Sequence, residues 1–171
     1  MNRLAIIILV LFFCFTACKK SDLGPAAEKA QAAIDDKIIS DYLAANPGLA
    51  AKKIDTTGVY YIVIDPGTVN TVFTNSTRIT VGYTGRLLTT GQKFEDSGEF
   101  NPSYELGGVI RGWKLGIPQI KKGGKVRLLI PSRYAYGPYP QPQLGVKYDL
   151  KDGLPGNAVL DFDINLYDAA N

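Results

Sequence analysis

The chain has 171 residues, 46% of them apolar, with 19 Lys and Arg against 16 Asp and Glu and no histidine. Its length fits one globular domain with a small appendage, and the net charge of +3 is scattered among acids and names no partner. Without histidine the chain lacks Ser-His-Asp and Cys-His catalysis, histidine metal sites and the commonest general base.

Met1 to Ala17 carries a single charge at Arg3 and then an uninterrupted apolar run from Leu4 to Phe15. That run is too short to span a bilayer and reads as a secretory signal peptide over residues 1–17. Thr16 and Ala17 before Cys18, with polar Lys19, Lys20, Ser21 and Asp22 after it, resemble the lipobox of bacterial lipoproteins. In that arrangement Cys18 is lipidated and becomes the new N-terminus. Cys14 leaves with the signal, so Cys18 is the sole cysteine of the mature chain and neither an intrachain disulfide nor a cysteine metal site can form. The expected address is the cell envelope, held to a membrane by lipid alone. Lys19 and Lys20 point past the inner membrane to the outer one, with the face left open.

Residues 18–25, ending in Gly24-Pro25, suit a short tether from the lipidated cysteine. Helix formers dominate Ala26 to Ala45, and Ile34, Ile38 and Tyr42 repeat at four-residue spacing with Ala30, a narrow apolar stripe ended by Asn46-Pro47-Gly48. This predicts one amphipathic helix of about five turns, inside a helix-and-linker segment at 26–53. The stripe is expected to dock on the main domain, with pairing to a second copy as the other use.

From Thr57 the period shortens. Val59 to Ile64 is a β-branched and aromatic run stopped by Asp65-Pro66-Gly67, and Thr77 to Leu88 is a longer strand. In Lys125 to Ile130, Val126, Leu128 and Ile130 take one face and Lys125, Arg127 and Leu129 the other. The last strand alternates more cleanly, with Leu160, Phe162, Ile164 and Leu166 inward and Asp161, Asp163 and Asn165 toward water. A short helix from Trp113 to about Ile120 interrupts the strands, and Pro118 should end it early or leave its last turn irregular. The order predicts an α+β fold, a twisted antiparallel β-sheet half-barrel wrapped around one short α-helix and preceded by the N-terminal amphipathic helix.

Lys121, Lys122, Lys125 and Arg127 form the densest basic group, which reads as a solvated turn and is too short for a nucleic-acid patch. Glu95, Asp96 and Glu99 lack the spacing of a calcium loop and border the turn Asp96-Ser97-Gly98, and the pairs Gly107-Gly108 and Gly123-Gly124 do not form a phosphate loop. No metal and no cofactor is implied. What remains is an aromatic surplus: Tyr83, Phe94, Tyr104, Trp113, Tyr134, Tyr136, Tyr139 and Phe162, placed beside turns and glycines. Aromatics so placed make a partly exposed apolar pocket plausible, as well as an ordinary core.

Val81-Gly82-Tyr83-Thr84-Gly85, Gly91-Gln92-Lys93-Phe94-Glu95-Asp96-Ser97, Val109-Ile110-Arg111-Gly112-Trp113, Gly123-Gly124-Lys125, Ile130-Pro131, Tyr134-Ala135-Tyr136-Gly137 and Leu160-Asp161-Phe162-Asp163 follow one another in order. Together they resemble the FKBP family of peptidyl-prolyl cis-trans isomerases over residues 54–168. The resemblance implies an antiparallel half-barrel of five to six strands around a short helix, with the ligand pocket between them. It also implies catalytic roles for Tyr83, Phe94, Trp113 as floor, Tyr136 and Phe162. Substrate-binding roles fall to Val109, to Ile110 as a backbone N–H donor, to Leu154 as the apolar lip of the loop before the last strand, and to a carboxylate. The family carries Asp directly after the Phe, whereas here Glu95 comes first and Asp96 second, so both are candidates. An aromatic wall position is taken by Pro102 or Ser103, which should leave one wall more open, and the long loop from Pro138 to Gly156 should reshape the pocket mouth. The implied partners are proline-containing polypeptides and macrolide inhibitors, together with a membrane reached through the N-terminal lipid, and no nucleic acid. The rival function is a non-catalytic or weakly catalytic binding or chaperone module anchored at the membrane.

Overall fold

The computed structural model describes residues 24–171. The expected signal peptide, Cys14, the lipidation site Cys18 and most of the tether lie outside the described residues.

Pro25 opens helix α1, Pro25–Ala45, at a position where a missing N–H removes no helical bond. The C-terminal end is closed by Asn46, whose side-chain amide donates to the Tyr42 carbonyl at 2.8 Å. The helix docks on its own domain with the second half of the expected stripe, Ile38 and Tyr42, while its first half, Ala30 and Ile34, stays exposed. Its buried face is Asp35 and Ile39, with Ile38, Tyr42 and Leu43 beside them, while Ile34 is 53% exposed. The seat is rotated because a hydrogen-bonded carboxylate occupies part of it, and apolar periodicity cannot select an aspartate.

Seven strands follow, all paired antiparallel: β1 Lys52–Lys53, β2 Tyr60–Asp65, β3 Arg78–Leu87, β4 Lys93–Asp96, β5 Ser103–Glu105, β6 Lys125–Ile130 and β7 Leu160–Ala170. Their order across the sheet is β1-β2-β6-β7-β3-β4, and β5 pairs with β3. Seven strands exceed the expected five to six, and the two shortest, β1 and β5, are two and three residues long, too short to carry an alternating pattern. Register shifts at Val63/Asp65, Thr80/Val81 and Gly85/Arg86 add local twist, and the sheet curls around α2, Arg111–Gly116. Helix α2 then tightens into a 3-10 turn at Ile117–Gln119 that contains Pro118. The close approach of α2 to the sheet demands glycine, because a β-carbon at Gly112 would lie 2.5 Å from Ile130 Cγ2.

The alternation of β6 builds two cores. Val126, Leu128 and Ile130 join Trp113, Ile117, Phe94, Phe162 and Ile164 on the concave face. Leu129 points the other way, into a smaller cluster with Ile39, Ile62, Leu88 and Val159 beneath α1. Two residues read as solvated are covered there. Arg127 donates to Asp161 through Nε at 2.8 Å and Nη2 at 2.9 Å, and Nη2 also reaches the Tyr42 hydroxyl at 2.6 Å. Asp161 is only 5% exposed, so this ion pair sits under the helix.

Candidate functional site

Each wall of the site comes from a different element, all converging where α2 meets the concave face. Strand β3 supplies Tyr83, β4 Glu95, β5 Tyr104, the turn into α2 Gly108, Val109 and Ile110, α2 itself Trp113, the turn after β6 Tyr136, and β7 Phe162. They enclose a cavity of about 280 Å³. A larger cavity of about 740 Å³ between α1 and the turn at 132–139 is lined by Glu28, Gln31, Arg111, Arg133, Tyr134 and Tyr139 among others, and holds none of the ten candidate residues.

The floor is held by edge-to-face packing. The Trp113 ring meets Tyr83 at 5.0 Å and 78°, Phe162 at 5.2 Å and 86°, and Tyr104 at 6.4 Å and 75° between centroids and planes. Such pairs place positive ring edges on negative faces and resist sliding. The indole N–H is buried without a hydrogen-bond partner among the described residues. Trp113 stands in the first turn of α2, whose N-cap is Ile110; the Ile110 carbonyl accepts from Trp113 N at 3.0 Å. Ile110's own N–H enters no hydrogen bond among the described residues and stands at the cavity wall.

Besides these N–H groups, the polar side chains of the lining are three phenols and Glu95. The Tyr83 and Tyr104 hydroxyls lie 3.4 Å apart. Burial, helped by the Tyr104 hydroxyl and the Glu95 charge, pushes the Tyr83 phenol far above its ordinary range. Burial also pushes Tyr136 up to about 12, with Glu95 and then Tyr104 adding to it. A negative charge close to two phenols in a half-dry cavity penalises phenolate. Both hydroxyls therefore stay protonated, as hydrogen-bond donors, across the physiological range.

The structure brings together Tyr83, Glu95, Val109, Ile110, Trp113, Tyr136 and Phe162. It separates the other three candidates from them. Phe94 is 1% exposed and stacks edge-on behind Phe162 at 5.5 Å, supporting the wall without lining it. Asp96 turns aside, accepting from Lys93 Nζ at 2.9 Å, Thr84 Oγ1 at 3.0 Å and the Gly98 N–H at 2.5 Å. Leu154 is fully buried, its N–H and carbonyl paired with Gln141 at 3.0 and 2.8 Å, so it is core and not lip. The loop from Pro138 to Gly156 folds around that leucine and ties to the chain before β4 through Gln92 Nε2 and the Tyr148 carbonyl at 3.2 Å. None of its residues lines the cavity. The wall expected to be open at Pro102 or Ser103 is closed by the next residue, Tyr104. Its membership in the aromatic surplus is the only signal the sequence offers for it, because β5 is too short to read.

Among the described residues no group of three or more His, Cys, Asp or Glu could hold a metal ion, and no helix is long and apolar enough to cross a membrane.

Residues 70–167 match the family described as FKBP-type peptidyl-prolyl cis-trans isomerase. The chain is 39% identical over 113 residues to FK506-binding protein 1 of Candida glabrata, covering 64% of this chain and 90% of that one. It is 39% identical over 119 residues to the isomerase FkpA of Escherichia coli, covering 68% of this chain but 39% of the relative's length. Among solved structures, E. coli FkpA superposes with a TM-score of 0.63 at 32% identity, covering 84% of this chain and 63% of that one. A peptidyl-prolyl isomerase of Pseudomonas syringae pv. tomato gives 0.65 at 27%, covering 84% and 96%.

Proposed function

Because the chain belongs to the family of FKBP-type peptidyl-prolyl cis-trans isomerases, we propose that it catalyses rotation about X-Pro bonds of exported polypeptides in the cavity floored by Trp113. The observation that carries this reading is the edge-packed aromatic cage of Trp113, Tyr83, Tyr104 and Phe162, with Tyr136 and the free Ile110 N–H at its wall.

Resonance gives the amide C–N bond its double-bond character and a rotation barrier of about 18–20 kcal/mol. Water hydrogen-bonded to the carbonyl oxygen favours the dipolar planar form, whereas the twisted amide is less dipolar. An apolar cavity that strips this water therefore raises the planar amide relative to the twisted one. Trp113 holds the proline ring while the preceding residue rotates. The Ile110 N–H and the Tyr136 hydroxyl donate to the carbonyls of the bound chain, and Tyr83, Tyr104 and Glu95 hold the polar side of the wall. No step moves a proton, so the chain needs neither a histidine nor a metal. Uncatalysed isomerisation takes about 10–100 s at 25 °C, slow enough to limit folding of a proline-containing chain.

We assign the isomerase domain to residues 54–168, the helix and linker to 26–53, and a lipid anchor on Cys18 behind a signal peptide at 1–17, which would place the activity at the cell envelope. Macrolides that present an apolar ring and neighbouring carbonyls suit the same cavity. A protease-coupled assay on a short X-Pro peptide tests the activity: turnover above background is expected, and a rate equal to background would leave only a binding module. Mass spectrometry of the N-terminal peptide from fractionated membranes tests the anchor, and an unmodified Cys18 would remove it.

A further inference from the structure

Helix α1 lies outside the segment that matches the family, residues 70–167, yet one of its side chains is built into the turn that carries Tyr136. Asp35 is 0% exposed. Its Oδ2 accepts from the Ser132 N–H at 2.9 Å and the Ser132 hydroxyl at 2.6 Å, and its Oδ1 accepts from Gln31 Nε2 at 2.8 Å. Ser132 is in turn the anchor of the turn itself. Its carbonyl accepts from the N–H groups of Ala135 and Gly137, both at 2.9 Å, the two residues that flank Tyr136. A second tie runs parallel, because Arg133 donates to Asp36 at 2.6 Å, to the Thr57 carbonyl at 2.8 Å and to the Ala32 carbonyl at 3.3 Å.

We propose that Asp35 is a positioning residue for the isomerase site: through Ser132 it fixes the turn that presents the Tyr136 hydroxyl, making α1 a working part of the catalytic unit. The inference rests on the isomerase reading above. Its physical basis is the stiffness of charge-assisted hydrogen bonds to a buried carboxylate, which are shorter and about twice as strong as neutral ones. A buried carboxylate is retained at a cost unless it is well bonded, and here both of its oxygens have partners. Without Asp35 the Ser132 N–H and hydroxyl lose their acceptor at the root of the turn.

The test is a double-mutant cycle in the full-length chain, reading kcat/KM on a short X-Pro peptide for the unaltered protein, Asp35→Ala, Tyr136→Phe and the pair, well below the melting temperature of each. Since small displacements of a donor weigh heavily in a preorganised site, Asp35→Ala is expected to lose roughly tenfold with Tyr136 present and less than about twofold in Tyr136→Phe. Asp35→Asn keeps an oxygen that can accept from Ser132 and should retain most of the activity. Should Asp35→Ala not fold, Ser132→Ala removes the hydroxyl bond alone, and its smaller loss must likewise vanish in Tyr136→Phe. Equal losses in the two backgrounds, or no loss at all, overturn the positioning role while leaving the isomerase intact. Absence of turnover in the unaltered chain overturns both.

Discussion

Two properties of single residues decide what the pocket can do. Trp113 is 5% exposed and meets three other rings, so replacing it with alanine removes the surface on which a proline ring would rest. Loss of a buried contact of that size should weaken a macrolide or proline ligand at least about tenfold, with about 3–5 kcal/mol of stability lost from the cavity left behind. Equilibrium titration of the folded variant checks the first figure, and unchanged affinity would remove Trp113 from the site. The phenols make a second prediction. A group whose folded pKa lies above its unfolded value binds its proton more tightly in the folded chain. Its stabilising contribution is complete below the unfolded value of 10.0 and disappears as pH rises through about 12, the range set by Tyr136. Urea midpoints should therefore fall between pH 10 and 12, and Tyr136→Phe should make that fall shallower; an equal slope in the variant would contradict the burial of this hydroxyl. At this scale most of the site was legible, since Tyr83, Trp113, Tyr136 and Phe162 stand in motifs. The choice between Glu95 and Asp96 was not. Glu95 lines the cavity, while Thr84, opposite Asp96 across β3 and β4, and Lys93 at its side draw Asp96 away, and only the pairing register reveals the first of these partners.

Elements were legible wherever a period of two or of 3.6 ran long enough to show. Strands β6 and β7 matched their alternation almost residue by residue, and Pro118 tightened the end of α2 as a missing N–H requires. Helix α1 shows where periodicity falls short, because its docked face includes an aspartate and takes in Ile38 but not Ile34 of the expected stripe. The difference can be measured. Ile39 is fully buried among Ile62, Leu88, Leu129 and Val159, whereas Ile34 is 53% exposed. Ile39→Ala should cost about 2–5 kcal/mol and Ile34→Ala less than about 0.5 kcal/mol, given the usual difference between core truncation and surface substitution. Denaturant unfolding of the two variants checks the ranking, and comparable losses would mean that the helix seats on its other face.

At the scale of the whole molecule, the question is whether α1 is an appendage or a second lid on the sheet. The convex face of β2, β6 and β7 carries Ile62, Leu129 and the Arg127–Asp161 pair, and all of them are covered by α1. Tyr42 completes the arrangement, its ring 5.5 Å from the Arg127 guanidinium and its hydroxyl bonded to it. The guanidinium is held charged more firmly than usual by Asp161. A pair this sheltered depends on its cover, since a buried charge stripped of part of its bonding is costly. Deleting residues 1–49 would uncover the apolar cluster and open the ion pair to water. Full burial of Ile39 contributes about 1.5–3 kcal/mol and the partial burial of Ile38, Tyr42 and Leu43 adds to it, so the loss should be several kcal/mol. For a domain of this size that corresponds to a melting temperature lower by about 10–20 °C, accompanied by binding of an apolar dye to the bared face. The shortened chain must also lose the Asp35 tie to Ser132, so its activity should fall further than its stability explains when it is assayed cold and folded. A truncated chain that melts and turns over like the intact one would make α1 a mere spacer ahead of the domain. A chain that melts lower yet keeps full activity in the cold would make it a lid that stabilises the sheet without positioning Tyr136.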